Sequence, residues 1–235
     1  MNTVIFDPYK GKSYGKGPLL KGKRILVVGA SHYCGCFDVK CGCGRDCCKY
    51  GKYSVTSVAG EEFVFGEGCK LFTKVVIGRY LNDARLSDKK ANGYFRTFTK
   101  FCNTFFPKGV AKMENRAALL AELAHMEYVQ GAEGKDPKVN DRTLFNDERN
   151  YRELRSAIRK LRPDIVIVWG NRVWLKIMEK MSPEVVCEDV AMARVSDCEF
   201  FLVRSYHPSA SRFDRDRLRT ALAKAGLILE TGSNV

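Results

Sequence analysis

Short runs of apolar, often β-branched residues alternate along this chain with segments whose apolar positions recur at helical spacing. The contrast is sharpest in the last third. Tyr151, Leu154, Ile158 and Leu161 fall at i, i+3, i+7 and i+10, the stripe of an amphipathic helix. Pro163 ends that helix, and the run from Asp164 to Gly170 reads as a strand buried on both faces. Asn171 is placed to cap a following helix that carries Val173, Trp174, Ile177 and Met178 on its apolar side. Phe200 to Tyr206 is the next strand, and a final helix from about Phe213 turns Leu218, Leu222 and Ala225 inward.

The earlier part is less regular. Residues 1–23 are rich in Lys, Gly and Pro and read as an irregular arm. Arg24 to Gly29 is a β-branched run ended by glycine, which suits a buried strand. No period holds across most of residues 34–70, a Cys-, Gly- and Lys-rich insertion or loop. Phe72–Leu81 and Tyr94–Phe106 read as helices, the second closed by Pro107, and Glu114–Leu123 has high helix propensity. His125–Val129 reads as a short strand or as a continuation of that helix, and residues 131–141 as loop. The alternation of helix and buried strand predicts one α/β domain over residues 1–235, its parallel sheet covered on both faces.

Composition changes this picture in two ways. Hydrophobic residues at 45% and charged residues at 29% are an ordinary globular balance, but 40 Lys and Arg against 27 Asp and Glu leave a net charge of +13. Such a charge makes nucleic acid the leading partner class, because phosphate backbones release counterions to bound cations. Apolar runs such as Ile165–Trp169 are too short to cross a bilayer, and Met1–Pro8 has no basic start followed by an apolar stretch. No membrane association is therefore expected, and a cytoplasmic monomer is the working expectation. Six of the ten cysteines (Cys34, Cys36, Cys41, Cys43, Cys47 and Cys48) crowd one segment, where metal binding explains them better than disulfides do.

In open parallel sheets ligands bind at the carboxyl ends of the strands. Three unusual turns fall at such ends: Gly29-Ala-Ser-His-Tyr33, Trp169-Gly-Asn171 and His207-Pro-Ser209. Plain structural roles compete at each. His207, Ser209 or Ser211 can cap the last helix, and a cap is compatible with phosphate binding at the same helix end. His32 can bond a backbone carbonyl, and Phe72 can belong to the core. Arg212, Arg215, Arg217 and Arg219 are either an attractive patch or a solvated helix face.

Taken in order, Ile25-Leu-Val-Val-Gly29 with its polar turn, Pro163-Asp-Ile-Val-Ile-Val-Trp-Gly170 and Tyr206-His-Pro-Ser209 resemble the uracil-DNA glycosylase superfamily. Gly29-Ala-Ser-His-Tyr-Cys34, Phe72-Thr73 and Tyr128-Val-Gln130 resemble, more narrowly, a glycosylase-like branch whose turn reads Gly-Glu-Ser-His-Tyr. The resemblance spans roughly residues 24–225. It implies a three-layer α/β/α fold around a central, mainly parallel four-stranded sheet, and a DNA-repair hydrolase that flips a uracil or damaged base and cleaves its N-glycosidic bond. No cofactor is required for that chemistry. His207 then donates to the departing base, Ser209 and Arg212 contact phosphate, Phe72 stacks on the base, and Gly29, Ala30, Tyr33 and Asn171 shape the binding site.

Departures from the family accompany the match. Ala30 and Ser31 stand where members place Asp or Glu, Glu127 stands where they read the base edge with Asn, and Ser211 stands where an apolar wedge often lies, a role left open to Arg212 or Phe213. With no carboxylate in the first turn, Glu127 or His32 is left to activate water, beside Ser31. A non-catalytic nucleic-acid-binding module and a hydrolase of another nucleoside are the alternatives. The close cysteine pairs depart from the spacing of two to four that suits tetrahedral zinc; a structural zinc is still the first expectation for them, ahead of no metal. An iron–sulfur cluster, carried by some members at other positions, comes behind it.

Overall fold

In the computed structural model, residues 8–30, 32–33, 53–56, 62–65, 73–82, 93–106, 113–129, 132–133, 145–146 and 148–229 are described. The strands are β1 (Tyr9–Lys10), β2 (Ile25–Gly29), β3 (His32–Tyr33), β4 (Tyr53–Thr56), β5 (Glu62–Phe65), β6 (Leu123–Glu127), β7 (Ala132–Glu133), β8 (Ile165–Trp169), β9 (Glu184–Cys187), β10 (Val190–Val195) and β11 (Cys198–Ser205). The helices are α1 (Thr73–Asn82), α2 (Gly93–Asn103), α3 (Met113–Glu122), α4 (Glu148–Leu161), α5 (Asn171–Met181) and α6 (Arg215–Lys224).

A seven-stranded sheet in the order β1-β6-β2-β8-β11-β10-β9 forms the centre. The inner four strands, β6, β2, β8 and β11, are parallel, and each flanking strand pairs antiparallel with its inner neighbour. Successive side chains of a strand point to opposite faces, so the all-apolar strands β2 and β8 feed two cores at once. Ile25, Val27, Ile165, Ile167 and Val203 pack against α1, α2, α3 and α6 through Ile77, Tyr80, Phe98, Phe101, Leu119, Leu120, Leu218 and Leu222. On the other face Leu26, Val28, Val166, Val168 and Leu202 pack against α4 and α5 through Leu154, Ile158, Val173, Trp174 and Ile177. The result is a three-layer α/β/α arrangement.

The sheet is wider than the four strands expected. The β9–β10 hairpin carries little alternation that a sequence reading can use, since Val185 and Val186 are both exposed at the sheet edge. Residues 8–23 are irregular but closely packed: β1 pairs with β6, Tyr14 and Leu20 are buried, and the Glu122 carboxylate accepts the backbone N–H groups of Leu19 and Leu20 at 3.2 and 2.8 Å. Within the segment expected to be loop, β4 and β5 pair as an antiparallel hairpin. The strand expected at His125–Val129 lies two residues earlier, and α3 ends where it begins.

Candidate active site

At the carboxyl edge of the parallel strands the register sets four residues in one row. Gly29 of β2 faces Glu127 of β6, Trp169 of β8 faces Ser205 of β11, and Val28 pairs with Val168 one rung below. Strand parity puts all four on the α1–α2–α3–α6 side, the face to which Val27 and Ile167 contribute two positions earlier. Two interstrand spacings of about 4.8 Å separate β2 from β11, so the turns after Gly29 and Ser205 stand roughly 10 Å apart. The three turns singled out in the sequence therefore share one edge.

Gly29 leaves room for its neighbour. A β-carbon built there would lie 2.6 Å from the carboxyl carbon of Glu127 and 2.7 Å from its Oε1, and closer still to Oε2. The glycine lets the half-buried Glu127 lay its carboxylate across the start of the first turn. That turn is held by Tyr128 N–H donating to the Gly29 carbonyl and Val129 N–H donating to the Ala30 carbonyl, each at 3.0 Å. Beyond it, His32 and Tyr33 pair through their backbones with Ala132 and Glu133.

His207 follows β11 and is half-buried. Its Nδ1 lies 2.7 Å from Ser209 Oγ and accepts the Ser209 backbone N–H at 3.3 Å. A ring nitrogen that accepts an N–H carries no proton itself, so the neutral imidazole holds its proton on Nε2, as a donor. Burial lowers the His207 pKa from its ordinary value, which favours that neutral form. The ring meets Trp169 edge to face, with centroids 5.7 Å apart. Trp169 in turn contacts His125 at 5.0 Å and Phe101 at 4.9 Å, so an aromatic wall backs the imidazole. The Trp169 indole N–H is buried with no hydrogen-bond partner among the described residues.

Tyr206 precedes His207 in the chain. Arg204 and Arg217 flank its ring, each with its guanidinium carbon 5.7 Å from the centroid. Arg217 also holds Asp189 through two hydrogen bonds, at 2.6 and 2.8 Å, and Glu188 through a third at 2.6 Å. These carboxylates raise the Arg217 pKa above its ordinary value and tie α6 to the β9–β10 turn.

Several expected roles change. Gly170, with φ 95, occupies the N-cap of α5, so Asn171 is the first helical residue, exposed and making no side-chain cap. Neither His207 nor Ser209 nor Ser211 caps α6; Asp214 does, accepting the N–H groups of Asp216 and Arg217. Of the basic set, Arg217 is engaged as above and Arg219 donates to the Thr104 carbonyl at 2.8 Å, while Arg212 stays exposed. Ser31, Phe72 and Cys34, Cys36, Cys41, Cys43, Cys47 and Cys48 lie outside the described residues, as do the side chains of His32 and Tyr33. Among the described residues no group of His, Cys, Asp and Glu is arranged to hold a metal ion, and no helix is long and apolar enough to cross a membrane.

Two residues were not anticipated. Trp169 was visible in the sequence as the end of a buried strand, but its contact with His207 depends on the β8–β11 pairing. Arg172, near the start of α5, stacks on Phe145 at 4.0 Å from the ring centroid and sets a cation on the α5 side of the same edge. No protein-family model matches the chain, and no curated protein does.

Proposed function

We propose that this chain is a base-excising hydrolase of DNA with the architecture of a uracil-DNA glycosylase. The observation that carries the reading is that Glu127 and His207 stand at the same carboxyl edge of the sheet, on strands three apart, with Gly29 and Trp169 between them. The four parallel inner strands, covered on both faces, agree with it.

Breaking an N-glycosidic bond leaves the bonding electron pair on the base and positive charge on the sugar. The His207 Nε2–H donates to a carbonyl oxygen of the leaving base and stabilises its negative charge. The Glu127 carboxylate accepts a proton from the water that adds to the anomeric carbon, and its charge favours the cationic sugar. Glu127 thus supplies from the neighbouring strand the carboxylate that Ala30 and Ser31 do not. In this proposal Arg212 and Arg172 supply cations for phosphates flanking the flipped nucleotide, and Ser209 supplies a further phosphate contact. Ser31, His32, Tyr33 and Phe72 keep, in this proposal, the roles that the family resemblance implies.

Incubation with uracil-containing single- and double-stranded DNA, followed by alkali to break abasic sites, tests the assignment. The wild type should yield abasic product, and His207→Ala should lower the rate by about 100-fold or more. The absence of a carboxylate from the first turn favours a second reading, a nucleic-acid-binding module without catalysis. Salt-sensitive binding with no abasic product from any base would decide for it.

A further inference from the structure

The stretch from Pro8 to Arg24 contains Lys10, Lys12, Lys16, Lys21, Lys23 and Arg24 and no acidic residue. It is docked rather than trailing. Gly11 N–H donates to the Leu123 carbonyl at 3.0 Å, Ser13 N–H to the Ala121 carbonyl at 2.8 Å, and Gly22 N–H closes a turn on the Gly17 carbonyl at 3.0 Å. A β-carbon at Gly11 would overlap the Ala121 carbonyl, and one at Gly17 would overlap the Glu122 carboxylate, so both glycines permit the close approach. With the backbone seated inward, Lys10, Lys12, Lys16 and Lys21 are exposed and Lys23 is partly so.

The carboxylates beneath this surface are already used. Glu122 accepts backbone N–H groups, and Asp164 takes the Arg24 guanidinium in two hydrogen bonds, at 2.6 and 3.2 Å. Among the described residues, Lys12, Lys16 and Lys21 have no carboxylate partner, and Lys23 stands near only Asp164, which Arg24 already engages. We infer that this surface is a docking face for the phosphodiester backbone of duplex DNA, at the opposite end of the sheet from His207. Fixed, unneutralised ammonium groups favour phosphates by counterion release, independently of sequence. Single strands bind through exposed aromatic rings on which bases stack. Here Tyr14 is buried and Tyr9 spends its hydroxyl on the Leu120 carbonyl, which favours a duplex.

The five residues of β2, at about 3.3 Å each, hold this face roughly 16 Å from the catalytic edge. It therefore binds DNA that is not engaged in catalysis, and the inference does not require the excision reading. The test is binding of a short unmodified duplex, followed by fluorescence anisotropy, for wild type and for the combined variant K12Q, K16Q, K21N and K23Q. Asparagine suits position 21 because Lys21 has φ 52. The variant should bind roughly 10- to 100-fold more weakly at about 50 mM salt, with a log K against log salt slope shallower by about 3 to 4.

Removing four cations from α4 instead, with R152Q, R155Q, R159Q and K160Q, should weaken binding much less. Arginine at all four lysine positions should restore it. An unchanged slope in the lysine variant, equal losses from the two sets, or equal affinity for single strands would overturn the inference. So would binding to vesicles of anionic lipid but not to duplex. Far-ultraviolet circular dichroism confirms that each variant is folded.

Discussion

The carboxylate of Glu127 occupies the space that a side chain at Gly29 would take. The clash from a methyl group there would fall on the far end of a flexible side chain, so relieving it costs little stability but moves the carboxylate off the edge. Gly29→Ala should therefore keep its thermal midpoint within a few degrees of wild type. Excision should fall by about 10-fold or more, mainly in kcat, because in the proposed reaction the displaced group acts on the water rather than in binding. Steady-state kinetics beside thermal unfolding separates the two effects.

Acid should destabilise the protein through His207. Its pKa lies below the ordinary 6.5 in the folded chain, because burial disfavours the charged ring. Above 6.5 both folded and unfolded forms are neutral, and the group contributes nothing to pH dependence. As pH falls through 6.5 the unfolded chain takes up a proton that the folded one resists, so stability drops until the folded pKa is passed. The urea midpoint of wild type relative to His207→Gln should fall between about pH 8 and pH 5. A constant difference across that range would contradict the assignment.

Trp169 buries an indole N–H that has no partner among the described residues, so its contribution is shape rather than hydrogen bonding. Trp169→Phe should change stability by about 1 kcal/mol or less, since it removes an unsatisfied donor along with some volume. Trp169→Ala opens a cavity among Phe98, Phe101 and His125 and should cost about 3 to 5 kcal/mol. Denaturant titration of the two variants checks the contrast.

Arg217 links α6, the β9–β10 turn and Tyr206. Arg217→Met should cost about 1 to 2 kcal/mol in urea unfolding, a figure held down by the partial exposure of the pair. It should also lower the excision rate, because Tyr206 loses one of the two guanidinium groups flanking its ring. Arg217→Lys should not restore wild-type behaviour, since an ammonium cannot reproduce the two-pronged bond to Asp189.

The parallel core was legible because its strands are apolar on both faces and end in glycine or proline, as β2 and β8 do. α4 and α5 were legible from the helical recurrence of Leu154, Ile158, Val173 and Ile177. The β9–β10 hairpin was not, because Glu184, Val185 and Val186 all lie exposed on an edge strand and so show no buried alternation. The site residues His207 and Gly29 could be named from turns at strand ends, and Glu127 from the family resemblance. Which of them meet is a property of register, and register is set by which strands pair. Nothing local to Gly29 announces that its partner is Glu127, and the edge contact of Trp169 with His207 arises from non-consecutive strands in the same way. Capping misled at Asn171, since glycine with positive φ at position 170 took the cap instead.

The most direct measurement is single-turnover excision of uracil from DNA by wild type and Glu127→Gln, an isosteric change that removes only the charge and the proton acceptor. Abasic product from the wild type, with a rate at least about 100-fold lower in the variant, is the predicted result. Equal rates in the two proteins would contradict the role given to Glu127.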